Sequence, residues 1–181
     1  GVKPLPTLHE EGRWLVDAHG NHVVLHGVMD TPNMYFNGWR WGSPWDASNR
    51  ANYDASGATK CLAYFEKLFG GLEEAKCAVF RLHLDPAWTN DPSNTYTYSG
   101  STGQASDASG EADIKKFNPT RLKTFLKSLY WPLMQKAMNH GMYVVVRPPG
   151  VCPGSLKVGD YYNKYLMTVW DLFTQNDSIK K

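Results

Sequence analysis

Three short apolar runs, separated by segments long enough to hold a helix, are what most constrain the fold of this chain. They fall at residues 23–25, 79–82 and 143–146 and are rich in β-branched and aromatic side chains. Runs of this kind suit strands of a parallel sheet covered by helices. Between the first and second, apolar residues recur at intervals of three and four through Leu62, Phe65, Leu68 and Phe69, which predicts a helix from near Gly57 that Gly70-Gly71 ends. Between the second and third, Asn118-Pro119 supplies an N-cap followed by a proline in the first helical turn. The helix then runs on Leu122, Phe125, Leu126, Leu129, Leu133, Met134 and Met138, with Gly141 as its stop. Pro132 inside that pattern is expected to kink it, because proline has no N–H to give the preceding turn. A last amphipathic helix over residues 159–176 carries Tyr162, Tyr165, Leu166, Val169, Trp170 and Phe173 on one side. Parallel strands require crossovers, and these are right-handed, so the expected class is α/β.

Ahead of the helices, residues 13–16 and 22–25 are short β-rich runs separated by Asp17-Ala18-His19-Gly20-Asn21, a hairpin signal. The second of these runs is also read as the first strand. It leads into a loop, residues 31–53, in which Tyr35, Phe36, Trp39, Trp41, Trp45 and Tyr53 stand among Gly, Asn, Ser, Asp and Arg. Rings in such a setting either pin the loop to the body or offer flat faces to a ligand such as a sugar. Residues 90–110, rich in Gly, Ser, Thr and Asn, read as a second long loop.

Composition removes several classes of function. At 181 residues, 42% hydrophobic and 20% charged, the chain reads as one globular domain, 1–181. A formal charge of +2 without long basic runs gives no track for nucleic acid. No apolar stretch approaches the roughly 20 residues of a membrane span. Cys61, Cys77 and Cys152 form no CxxC pair and have no histidine at zinc spacing, so they read as free thiols. Neither GxGxxG nor GxxxxGK[ST] occurs, which argues against dinucleotide and P-loop nucleotide sites.

The ordered pieces GRWLVDAHGNHVVLHGV, AVFRLHLDPAW, GMYVVV and YYNKYLMTVWDLFTQND resemble the first three βα units of family 5 glycoside hydrolases of the cellulase (endo-β-1,4-glucanase) type. The resemblance spans nearly the whole chain. It implies a partial (β/α)8 TIM barrel, an N-terminal hairpin plus three βα units, ending before strand four. It further implies a secreted or cell-surface bacterial origin and a β-glucan substrate of cellulose, xyloglucan, mixed-linkage or related type. Hydrolysis there is retaining, with one glutamate as acid/base and one as nucleophile at the ends of strands four and seven, their carboxyls about 5 Å apart. This chemistry needs no cofactor and no metal.

Neither of those strands is expected among these residues, and Glu10, Glu11, Glu66, Glu73, Glu74 and Glu111 fall away from the expected strand exits. The chain alone is therefore expected to be inactive, with a non-catalytic carbohydrate-binding fragment as the alternative. The resemblance places Arg81 where an arginine hydrogen-bonds beneath the nucleophile and keeps it ionised; the plainer reading is pairing with some other acid. Where the family has a histidine near the end of strand three, this chain has Arg147-Pro148-Pro149. His26, Asp30, His83 and Asp85 are expected on the face that carries barrel chemistry, either gripping sugar hydroxyls or capping strands. Trp88 is the preferred sugar-stacking ring, followed by Trp39 and Trp41. An open three-stranded sheet leaves unpaired edges and a bare apolar face, so the expected partners are the rest of a barrel or a second copy in a homodimer.

Overall fold

A computed structural model of the chain describes residues 5–32, 53–90, 98–99, 104–105, 117–148, 159 and 162–177. The first described strands are β1 (His9–Glu11), β2 (Trp14–Val16) and β3 (His22–Val23), an antiparallel sheet in that order. Its turns follow from local chemistry. Gly12 and Gly20 take φ of 61° and 82°, where a side chain would be strained. The Asp17 carboxylate accepts from the backbone N–H of His19 and Asn21 at 2.8 and 2.9 Å, closing the second turn.

A separate sheet follows, with β4 (Gly27–Asp30), β5 (Val79–His83) and β8 (Tyr143–Arg147) in the order β4-β5-β8, both pairings parallel. This corrects the position of the first parallel strand, which lies at 27–30 and not at 23–25. His22 and Val23 pair instead with Val16 and Leu15 in the hairpin. That contact closes a loop of only a few residues, so it costs less chain entropy than pairing with residues more than fifty positions away. Gly27 marks where the parallel strand begins. A Cβ there would sit 1.7 Å from the Val79 carbonyl oxygen, so only glycine allows β4 to approach β5 so closely.

Helix α1 (Ala55–Glu74) is capped by the Asp54 side chain, which accepts from Gly57 N–H at 2.8 Å. It runs straight through Gly70-Gly71, contrary to the expected stop, and ends where Lys76 adopts a φ of 60°. Each glycine costs a helix about 1 kcal/mol. Packing offsets this, since Phe65, Phe69 and Phe80 are all fully buried and the Phe69 and Phe80 rings lie 5.0 Å apart. Helix α2 (Pro86–Thr89) is a single turn after β5. Strands β6 (Tyr98–Ser99) and β7 (Gln104–Ala105) form an antiparallel pair within the second long loop.

Between β7 and β8, helix α3 (Pro119–Phe125) leads through a π-helical turn (Leu126–Tyr130) into α4 (Trp131–Asn139). The Asn118 side chain caps α3 by accepting from Arg121 N–H at 3.0 Å, and Gly141 follows α4 with φ of 80°. The expected disturbance at Pro132 takes the form of the π turn just before it, in which Trp131 N–H bonds to Leu126 C=O five residues back. A second π turn (Tyr162–Leu166) precedes α5 (Met167–Phe173), which buries Val169 and Phe173.

These helices and one face of the parallel sheet enclose a single core that includes Phe65, Phe80, Leu82, Trp88, Leu126, Leu129 and Leu133. The hairpin is tied to the opposite end of the sheet from the strand exits. His26 C=O accepts from Ala78 and Val79 N–H, and the Tyr143 hydroxyl donates to Pro6 C=O. No helix among the described residues is long and apolar enough to cross a membrane. Cys61 and Cys77 are free thiols; Cys152 lies outside the described residues.

Candidate functional site at the carboxyl edge of the parallel sheet

Because β4, β5 and β8 run parallel, their last residues, Asp30, His83 and Arg147, come to one edge. The register sorts their side chains by face. Met29, Arg81 and Val145 are partners across the three strands, as are His83 and Arg147, and all five lie on the face away from the helices. Met29 and Val145 are 53% and 49% exposed, whereas Phe80 and Leu82 on the helix side are fully buried.

His83 is the hub. Its Nε2 accepts from Arg147 Nη1, which leaves the ring proton on Nδ1 to be donated to Thr31 Oγ1 at 3.1 Å. Burial, and then the positive charges of Arg147 and Arg81, push its pKa down to about 4. The imidazole is thus neutral near pH 7 and does not dilute the positive charge of the arginines. Arg81 is exposed, and its Nη1 approaches the Met29 sulfur at 3.7 Å, a weak contact. Among the described residues neither Arg81 nor Arg147 forms an ion pair with an acid; those present join Lys136 and His140 to Glu66 and Glu73.

Asp30 and Asp85 face other duties. Asp30 accepts from Thr31 N–H at 2.7 Å and from the Tyr64 hydroxyl at 3.5 Å. Asp85 is buried, accepts from the Tyr53 hydroxyl at 3.4 Å, and its N–H donates to the Tyr130 hydroxyl at 3.3 Å. Tyr130 is fully buried, and burial raises its pKa well above the ordinary value. Both carboxylates hold loops and helices to the strand ends, the capping half of the sequence expectation.

Trp88 does not present a ring to a ligand. It is fully buried, donates from Nε1 to Pro32 C=O at 2.7 Å, and meets Tyr53 and Phe125 edge-on at 4.9 and 4.7 Å. Pro32 and Tyr53 flank the aromatic segment, so Trp88 pins both of its ends. A tryptophan followed by polar residues in sequence gives no sign of the helix that covers it in space. His26 is exposed and precedes β4, so it stands at the amino end of that strand and not with the other candidates. Its placement on the chemical face fails with the four-residue shift of the first strand. Trp39 and Trp41 lie outside the described residues.

Sequence reasoning missed Thr31, which shows no motif and gains its place only through the β4–β5 pairing. Arg147, noted there only as a departure from the family, gains a partner in His83. Glu10 and Glu11 lie in β1, and Glu66, Glu73 and Glu74 in α1, so no described glutamate reaches this edge. No group of metal-binding side chains occurs among the described residues. The edge can therefore offer hydrogen-bond donors and positive charge but no described carboxyl pair for acid–base hydrolysis. Compared with family models, curated proteins and solved structures, the chain matches none.

Proposed function

We propose that this chain forms the first part of the glycan-binding face of a retaining endo-β-1,4-glucanase, with β4, β5 and β8 as the first staves of a (β/α)8 barrel. The observation that supports this reading most is the parallel β4-β5-β8 order, which gathers Thr31, His83, Arg81 and Arg147 at the carboxyl edge, where such barrels carry their chemistry. In this proposal the acid/base and nucleophile glutamates belong to strands outside these three. Arg81, one step back from the edge, would then hydrogen-bond the nucleophile and keep it ionised. The half-exposed Met29 and Val145 would be covered by the remaining strands or, in the chain alone, by a second copy. The substrate would be a secreted enzyme's β-linked plant glucan.

The test is reducing-sugar release from carboxymethylcellulose, measured for the chain alone and for a polypeptide extended through the coding sequence that follows Lys181 in its gene. No release by the first and release by the second is the expected result. Hydrolysis by the chain alone would overturn the placement of the carboxyls. Cello-oligosaccharide binding by both without turnover would favour a non-catalytic carbohydrate-binding protein.

A further inference from the structure

We propose that Arg147, held by His83, is a subsite for a carboxylate, and that the glycan bound on this face carries uronic acid residues. This rests on the glucan-binding reading above and narrows its substrate class. A neutral sugar presents hydroxyls, each of which both donates and accepts, so a site built for it mixes donors with acceptors. The described groups around Arg147 are otherwise arranged. The acceptor nitrogen of His83 is taken by Arg147 Nη1 and its donor nitrogen by Thr31, so the imidazole has no capacity left. What remains is the Nε/Nη2 edge of the guanidinium, with no acid paired to it among the described residues. A guanidinium edge with two parallel N–H groups matches the two oxygens of a carboxylate, which accepts only.

Two further features favour an anion. His83 is kept uncharged by burial and by the two arginines, so it orients Arg147 without competing for the ligand. Arg81, two residues before His83 on the same strand and the same face, adds positive charge whatever else it contacts. Beside it on the neighbouring strands, the half-exposed Met29 and Val145 offer apolar surface for the C–H face of a pyranose.

Isothermal titration of the chain at low ionic strength with cellobiose and with glucuronosyl-β-1,4-glucose tests this, together with the Arg147 Nε–H NMR signal followed on adding acetate. A charge-assisted bidentate contact should favour the acidic disaccharide by about tenfold. The preference should shrink with added salt, fall in Arg147→Lys, which keeps the charge but loses the fork, and vanish in Arg147→Gln. Acetate and the acidic sugar should both move the Arg147 signal. Equal affinity for the two disaccharides overturns the proposal and leaves the glucan reading standing. Movement of the Arg147 signal by acetate and the acidic sugar, with no binding of cellobiose, keeps the carboxylate site and removes the neutral glucan. An unmoved Arg147 signal in the unaltered protein overturns the carboxylate site even if neither variant folds.

Discussion

On the helix side of the parallel sheet, Phe80 and Leu82 are sealed from solvent, while one residue away along the same strand Arg81 is exposed between Met29 and Val145. The two faces obey different rules. On the covered face, close packing of rings from α1 and β5 supplies the hydrophobic stabilisation that holds the layers together. On the bare face, charge and donors persist because no packed layer requires their removal. A strand with the sequence VFRLH thus separates a structural face from a chemical one by simple alternation. The largest expected consequence is at Phe80. Truncation by Phe80→Ala should cost about 3–5 kcal/mol in urea unfolding, because it removes a ring packed against Phe65 and Phe69. A loss below about 1 kcal/mol would mean that the covered face is not the structural one.

The next effect concerns how closely the sheet is assembled. Gly27→Ala places a Cβ against the Val79 carbonyl, a backbone atom that no side-chain rotation can move aside. Displacement of β4 from β5 should cost about 1–3 kcal/mol. It should also uncouple Thr31 from His83, which would be visible as a raised His83 pKa by NMR titration as the ring becomes more solvated. An unchanged stability and an unchanged His83 titration would show that β4 does not depend on this close approach.

How much of this was legible in sequence differs between the same two faces. Strands β5 and β8, the Asn118 cap and the Gly141 stop follow from local pattern and were read within a residue or two. The first parallel strand was misplaced because GVMD has little of a strand's apolar signature, while the neighbouring valines belong to the hairpin. Gly70-Gly71 failed as a stop because burial of Phe69 outweighs propensity. Trp88 looked like a ligand ring because its covering helix lies some thirty residues onward in the chain. Arg81 and His83 could be placed on a strand, but the Thr31–His83–Arg147 relay is created by register between three strands, and no local pattern encodes register across such separations.

A smaller effect separates the two histidines that sit in opposite electrostatic settings. His140 lies between Glu66 and Glu73, and its hydrogen bond to Glu66, above all, raises its pKa, while Lys136 shares Glu66. A raised value means the charged ring stabilises the fold fully below its ordinary pKa of 6.5, and this is lost as pH rises through the raised value. His83 has the opposite sign. Its native pKa of about 4 lies below the ordinary 6.5, so stability falls as pH drops between those values and is level below them. His140→Gln should therefore lower the urea midpoint more at pH 5.5 than at pH 8.5, and His83→Gln should flatten the acid limb between pH 6.5 and 4. The His140 effect is partly screened, because its carboxylate partners are about half exposed. Equal losses at both pH values in His140→Gln would show that the Glu66–His140–Glu73 bridge is not an ionic one.

The smallest expected change is the sharpest probe of the bare face. Met29→Ser removes a side chain that is 53% exposed, so in a solitary chain it should alter stability by no more than about 0.5 kcal/mol. The same substitution becomes costly if something covers the face in solution. A second copy seated there would bury Met29 and Val145 together, and the melting temperature would then rise with protein concentration, because association stabilises by mass action. Melting curves of the unaltered chain and of Met29→Ser over a hundredfold concentration range, with light scattering at both ends, separate the two cases. Concentration-independent curves and a strict monomer would leave the bare face to its ligands. A dimer that Met29→Ser dissolves would place self-association ahead of glycan on the face where Arg81 and Arg147 stand.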